Sequence, residues 1–130
     1  MAYIADHPES YEGKSVGTGH CVPFVQAASC APETAKWKQG LKVKGNSTTI
    51  FKGTAIATFA ASGKYTNSMD GTSHAAIYID QDDDGLQVWD QWKGKKNQPD
   101  QPVHKRTLRF QEEVPGVLPV NNGNCFYVID

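Results

Sequence analysis

The sequence predicts an α+β domain in which a helix near the N-terminus packs on an antiparallel β-sheet. Three observations point there. Residues 21–28 carry apolar side chains at Val22, Val25 and Ala28, one helical stripe, with Pro23 in the first turn where a helix tolerates it. From Gly53 the pattern becomes strand-like, with β-branched and small apolar residues over 54–60. Residues 74–79 and 86–92 then flank an acidic turn closing at Gly85, which reads as an antiparallel hairpin.

In chain order, residues 1–20 are rich in Gly, Ser and Thr and read as an irregular lead-in. They close on Ser15-Val16-Gly17-Thr18-Gly19-His20, where the glycines permit tight turns. The helix starts at Cys21, which places that thiol at a helix N-terminus. Trp37 belongs to a second short element, and residues 40–49, with Lys42 and Lys44, read as a basic polar loop on a solvated face. After the strand over 54–60, residues 63–73 form a turn-rich loop. In the hairpin, His74 opens one strand and Asp90 closes the other. Residues 103–110 alternate well enough for a further strand and 125–129 form a terminal one, with turns at Pro115, Pro119 and Asn121-Asn122-Gly123 between them. The length of 130 residues suits one hydrophobic core, no internal repeat is present, and residues 1–130 are read as one domain.

Composition narrows the function classes. Hydrophobic residues make up 38% of the chain and aromatics 10%, enough for a core, and the mean hydropathy of -0.53 reflects a solvated surface. Thirteen basic against fourteen acidic residues leave a net charge of -1, so neither nucleic acid nor an anionic membrane is the expected partner. No stretch approaches the roughly 20 apolar residues that span a bilayer. Asp6, His7, Glu9, Glu12 and Lys14 deny the first residues the apolar segment of a secretory signal, so a soluble protein made without a cleavable leader is expected. Cys21, Cys30 and Cys125 are too few for a disulfide scaffold and contain no C-x-x-C pair.

The chemistry converges on Cys21. A thiol attacks as thiolate, and its pKa of about 8.5 falls at a helix N-terminus or beside a histidine that can hold its proton. His74, opening a strand of the sheet on which the helix packs, is placed to be that base. A hairpin sets the start of one strand beside the end of its partner. Asp90, on the partner strand, is therefore expected to accept a hydrogen bond from His74 and fix its tautomer. Read without these partners, a cysteine that starts a helix is a small buried hydrophobe.

These residues sit in segments that resemble a known family. The run Gly19-His20-Cys21-Val22-Pro23-Phe24-Val25-Gln26 resembles the nucleophile segment of the CHAP amidases, the cysteine- and histidine-dependent amidohydrolases/peptidases. Gly53-Thr54-Ala55-Ile56-Ala57-Thr58-Phe59 resembles their central strand and Ser73-His74-Ala75-Ala76-Ile77-Tyr78-Ile79 their histidine strand. Val88-Trp89-Asp90-Gln91-Trp92 resembles the strand end that bears their third polar residue, and the order of the segments matches over residues 17–92. The resemblance implies a papain-like fold of the CHAP/NlpC type and a peptidoglycan peptide as substrate. It also implies acyl transfer through Cys21, His74 and Asp90, with the Cys21 backbone N–H holding the oxyanion and neither cofactor nor metal. Small size and a single catalytic module look most like the amidase effectors injected through the type VI secretion apparatus. That likeness implies action in a rival's periplasm and a cognate immunity protein as partner. Two other classes stay open: a non-catalytic papain-like domain that binds a cell-wall peptide or a protein, and an intracellular cysteine peptidase.

The remaining candidates have plainer readings. Asp80-Gln81-Asp82-Asp83-Asp84-Gly85 matches the opening of a calcium loop, but Gln91 stands where a bidentate Glu belongs and strand-like sequence flanks it, so it reads as an acidic hairpin turn. His20 is too close to Cys21 to turn back on it and reads as a substrate-facing loop residue. His104 is a weaker candidate for the third polar member, and His7 sits in a mobile terminus. Trp89 reads as core and Trp92 as a cleft wall. Cys30 and Cys125 are expected to pair across the helix-on-sheet interface, a bond suited to an oxidising periplasm.

Overall fold

The computed structural model describes residues 2–112 and 116–130; the turn read at Pro115 lies outside them. Helix α1 (Cys21–Ser29) starts where the stripe begins and ends at Cys30, whose φ of 61° is left-handed and whose N–H bonds to the Gln26 carbonyl. Among the described residues six strands follow: β1 (Gln39–Lys42), β2 (Ala55–Thr58), β3 (Ala75–Gln81), β4 (Gly85–Trp92), β5 (Gln101–Arg109) and β6 (Phe126–Ile129). All pairings are antiparallel, in the order β1-β6-β2-β3-β4-β5, so the C-terminal strand inserts between β1 and β2.

The sheet is buried on both faces, which is why β2 and the first half of β3 read as continuous apolar runs. Ala55, Ala57, Ala75, Ile77 and Trp89 share a core with Phe24 and Val25 of α1. Ile56, Ala76, Tyr78, Leu86, Val88, Phe126 and Val128 build the core of the other face. Three alanines at zero exposure let α1 lie close to the sheet, and Phe24 and Val25 are themselves fully buried, each worth about 1.5–3 kcal/mol in area removed from water. Phe24 lies off the predicted stripe. It is buried because Tyr11 of the lead-in closes on it edge to face, with ring centroids 5.7 Å apart.

Three expectations change. The segment over 40–49 is not only a polar loop. Its first residues belong to β1, an exposed edge strand beside β6, and Val43 and Ile50 are buried in the second core. The lead-in is tied down rather than mobile: Ile4 pairs with Thr54, the Ala5 N–H reaches the Gly53 carbonyl and the Ala55 N–H reaches the Tyr3 carbonyl, both at 2.8 Å. Gly53 permits this approach, since at its φ of +96° a Cβ would stand 2.3 Å from the Ala5 carbonyl oxygen. Finally, Cys30 and Cys125 are separate thiols. Cys125 ends a 3-10 turn (Gly123–Cys125) at the start of β6. The chain leaving Cys30 runs instead to Lys38, which pairs with Asp130 past the opposite end of that strand.

Candidate active site

Cys21 is the first residue of α1, so its backbone N–H has no partner within the helix. Gly17 and Gly19 bring the chain to it with φ of +58° and +90°, and a Cβ on Gly17 would stand 2.8 Å from the Pro23 side chain. The approach is clamped from β4. The fully buried Gln91 amide accepts from the Val16 N–H at 2.8 Å and donates to the Val16 and His20 carbonyls at 2.9 and 2.7 Å. The thiol of this half-buried residue is hydrogen-bonded to the Tyr65 hydroxyl at 3.7 Å, and the His74 imidazole and Ala75 backbone N–H stand close enough to act on its charge.

His74 is the residue immediately before β3. Its backbone is held to β2, with its N–H on the Thr58 hydroxyl at 3.0 Å and its carbonyl accepting from the Thr58 N–H, also at 3.0 Å. The ring is buried, and its Nε2 lies 2.6 Å from Asp90 Oδ2, which leaves Nδ1 for Cys21. Asp90, near the end of β4, has no exposed surface. Arg106 of β5 grips it: Nε is 3.0 and 2.9 Å from the two carboxylate oxygens, and one terminal nitrogen is 2.7 Å from Oδ2. The structure therefore brings Cys21, His74 and Asp90 into one line, with Arg106 behind the carboxylate.

The electrostatics follow from these contacts. Burial pushes the Cys21 thiol up, but hydrogen bonding and charge from His74, the Ala75 N–H and the Tyr65 hydroxyl outweigh it and leave the thiol below its ordinary value. Burial pulls His74 down, yet Asp90 and Cys21 raise it to about 9. Asp90 is driven up by burial and brought below the usual carboxylate range by His74 and Arg106. Burial and the adjacent Cys21 raise Tyr65, which keeps its hydroxyl a donor. Both shifts favour passing the thiol proton to the imidazole, the direction that would activate a cysteine as nucleophile.

Tyr65, Gln91 and Arg106 were not among the sequence candidates. Tyr65 lies in the turn-rich loop, where nothing in spacing marks it; its ring is pinned by Trp37, with centroids 4.7 Å apart, and by Phe59. Arg106 had a signal. Strand pairing sets Asp90 opposite His104, and Arg106 is the next residue on the same face of β5. His104 itself turns its Nδ1 to the Pro102 carbonyl and its ring to Trp92. Trp92 lies over the Arg106 guanidinium at 4.4 Å, while Trp89 is core. His20 contributes its carbonyl to the Gln91 clamp, and His7 is exposed beside Glu9. In the acidic turn, the Asp82 carboxylate accepts the Asp84 and Gly85 N–H groups, the work of a turn residue. Among the described residues, no group of His, Cys, Asp or Glu is arranged to hold a metal ion.

Beyond Tyr65, a groove of about 530 Å³ opens along the ends of β1 and β2 and the start of β6. Thr58, Thr66, Ser68 and Thr72 line one part of it, Lys42, Cys125 and Tyr127 another. Thr58 is shared between the groove and the His74 backbone.

Known proteins resemble the chain over nearly its whole length. A family model described as domesticated amidase effector 2 matches residues 1–129. A type VI secretion amidase effector 2 protein of Salmonella typhi is 33% identical over 138 residues, with both chains covered in full. A domesticated amidase effector 2 of Ixodes scapularis is 39% identical over 143 residues, all of this chain and 89% of that one. Among solved structures, a type 6 secretion amidase effector 2 superposes with a TM-score of 0.81 at 31% identity, covering 98% of this chain and 94% of that one. The helix-on-sheet arrangement is accordingly the expected α+β, papain-like fold.

Proposed function

The chain belongs to the domesticated amidase effector 2 family, and from that premise and the site geometry we propose that it is a cysteine amidase cutting peptide bonds in peptidoglycan. The observation that carries the reading is the buried His74–Asp90 contact of 2.6 Å aimed at a thiol that begins a helix. Cys21 Sγ attacks the scissile carbonyl, and the Cys21 N–H, left over at the helix start, stabilises the oxyanion. His74, already protonated, gives its Nδ1 proton to the leaving amine, and a thioester remains on Cys21. Water then attacks that thioester with His74 as base, releasing the acid and restoring the thiolate beside a protonated His74. Asp90 keeps the imidazole in the required tautomer throughout. The groove beside the site offers hydroxyls and the Lys42 ammonium, a surface suited to a polar stem peptide bearing carboxylates.

In this reading the protein acts as an antibacterial effector in a target cell's periplasm, where its substrate is presented, and its producer holds an immunity protein. Purified sacculi digested with the protein are expected to yield new peptide termini by mass spectrometry, and Cys21→Ala or His74→Ala, each folded, to yield none. Directing the protein to the periplasm is expected to lyse cells that tolerate it in the cytoplasm. Intact sacculi alongside rapid cleavage of casein would instead identify an intracellular peptidase. Binding to sacculi without new termini would identify a binding module.

A further inference from the structure

The proposed reaction uses Cys21, His74 and Asp90, but most of the contacts that hold Asp90 come from Arg106, to which the reaction assigns nothing. Both Asp90 oxygens accept from the guanidinium, and Oδ2 is shared between it and His74 Nε2. The same terminal nitrogen that meets Oδ2 stands 3.5 Å from Nε2. A carboxylate whose charge is divided between two cations holds each less firmly than it would hold one. The guanidinium keeps its charge at every working pH, and its place is fixed by the Trp92 ring at 4.4 Å, which His104 supports edge-on at 5.1 Å. Surface ion pairs adjust freely; this one, with Asp90 at zero exposure and the arginine side chain at 24%, does not.

We infer that Arg106 is a positioning residue acting through Asp90: it fixes the carboxylate against His74 Nε2 and weakens the hold of that carboxylate on the imidazolium, so that His74 can surrender its proton to the leaving amine. The inference rests on the reading of Cys21 and His74 as the reacting pair. Every charged or titratable group facing His74 is then in view. Asp90 comes from β4, Cys21 from α1 with the Tyr65 hydroxyl behind it, and Arg106 from β5, while Phe126 of β6 presents an uncharged ring edge and Thr58 of β2 a hydroxyl. His104, directly opposite Asp90, is turned to Pro102.

The test is the pH dependence of two rates in Arg106→Met and Arg106→Lys: kcat/KM on sacculus fragments, and alkylation of Cys21 by iodoacetamide, mapped by peptide mass because Cys30 is exposed. In Arg106→Met the pH at which His74 loses its proton is expected to move up by about one unit, read as the alkaline limb of kcat/KM and as the upper inflection of the alkylation profile, with kcat down about tenfold. Arg106→Lys, which keeps the charge but not the two-pronged grip, is expected to return the limb toward its parent position without restoring kcat. In an Asp90→Asn background, Arg106→Met is expected to move the profiles by clearly less, since only the direct repulsion across 3.5 Å remains. A folded Arg106→Met whose limb coincides with the parent's, or moves down, overturns the inference, as does an equal shift in the Asp90→Asn background. Should Arg106→Met not fold, Arg106→Lys decides: lowered kcat at an unmoved limb supports the inference, and parent kcat overturns it. The alkylation profile reads His74 whether or not sacculi are cleaved. An inactive parent chain thus counts against the proposed function, and an unresponsive profile against Arg106.

Discussion

Asp90→Asn separates the charge of the third residue from its shape. Asparagine keeps the volume and can still meet His74, but it removes the anion that, with Cys21, holds the imidazolium against burial. Moving a histidine from its ordinary 6.5 to about 9 is a preference of roughly 3 kcal/mol for the charged ring, and Asp90 supplies a large share of it. The sign is fixed: a raised His74 is protonated below about 9 and loses its proton as pH rises through that value, so activity that needs imidazolium falls on the alkaline side there. Without the carboxylate, and with the Arg106 cation still 3.5 Å away, the limb is expected to drop toward 6.5. At pH 7 kcat/KM is expected to fall about 10- to 100-fold, less than on loss of the nucleophile. Stability is lost as well. Removing one partner of a buried ion pair costs about 3–5 kcal/mol, and because Arg106 is 24% exposed and stacked on Trp92, the lower end of that range or somewhat less is expected. The assay is sacculus hydrolysis between pH 5 and 10 together with denaturant unfolding at pH 7. An Asp90→Asn variant with its alkaline limb still near 9 refutes the reasoning, because something other than Asp90 would then be holding the proton.

Two further substitutions probe residues that the sequence did not reveal. Tyr65→Phe keeps the ring against Trp37 and Phe59 but removes the hydroxyl 3.7 Å from Cys21, so stability is expected to stay within about 0.5 kcal/mol. The Cys21 pKa is expected to rise, seen as iodoacetamide labelling that requires higher pH; an unchanged labelling profile would show that the contact has no electrostatic role. Gln91→Leu removes three hydrogen bonds to Val16 and His20 and leaves their half-buried backbone groups without that partner, an expected loss of about 2–4 kcal/mol in denaturant unfolding. If the clamp sets the position of Cys21, kcat is expected to fall more than KM rises, and a change in KM alone would mean that the clamp serves only the fold.

What the sequence made legible was local or periodic. The helix start at Cys21 follows from a proline tolerated only in the first turn, and the hairpin that brings His74 toward Asp90 follows from two apolar runs about one acidic turn. The edge strand β1 was not legible, because an exposed strand with sequence Gln-Gly-Leu-Lys carries no apolar alternation; its place comes from pairing with β6, more than eighty residues away. The Cys30–Cys125 pairing failed for a related reason: strand insertion decides which end of β6 the helix connection reaches, and spacing along the chain does not encode it. Tyr65, Gln91 and Arg106 are polar or aromatic residues whose roles depend on what stands opposite them. Arg106 alone becomes visible once the register of β4 on β5 is known.

The four groups also explain one another's charge. From helix to outer strand, the charges toward which the contacts drive these groups alternate in sign: thiolate at Cys21, imidazolium at His74, carboxylate at Asp90, guanidinium at Arg106. A buried carboxylate alone would take up a proton, and a buried histidine alone would lose one. In this order each charge is compensated by its neighbours, and the line as a whole is neutral, so the desolvation that opposes every ionised member separately is offset for the set. The permanent charge stands at the end of the line farthest from the thiol, where arginine keeps its proton at every working pH, while Cys21, His74 and Asp90 are all titratable.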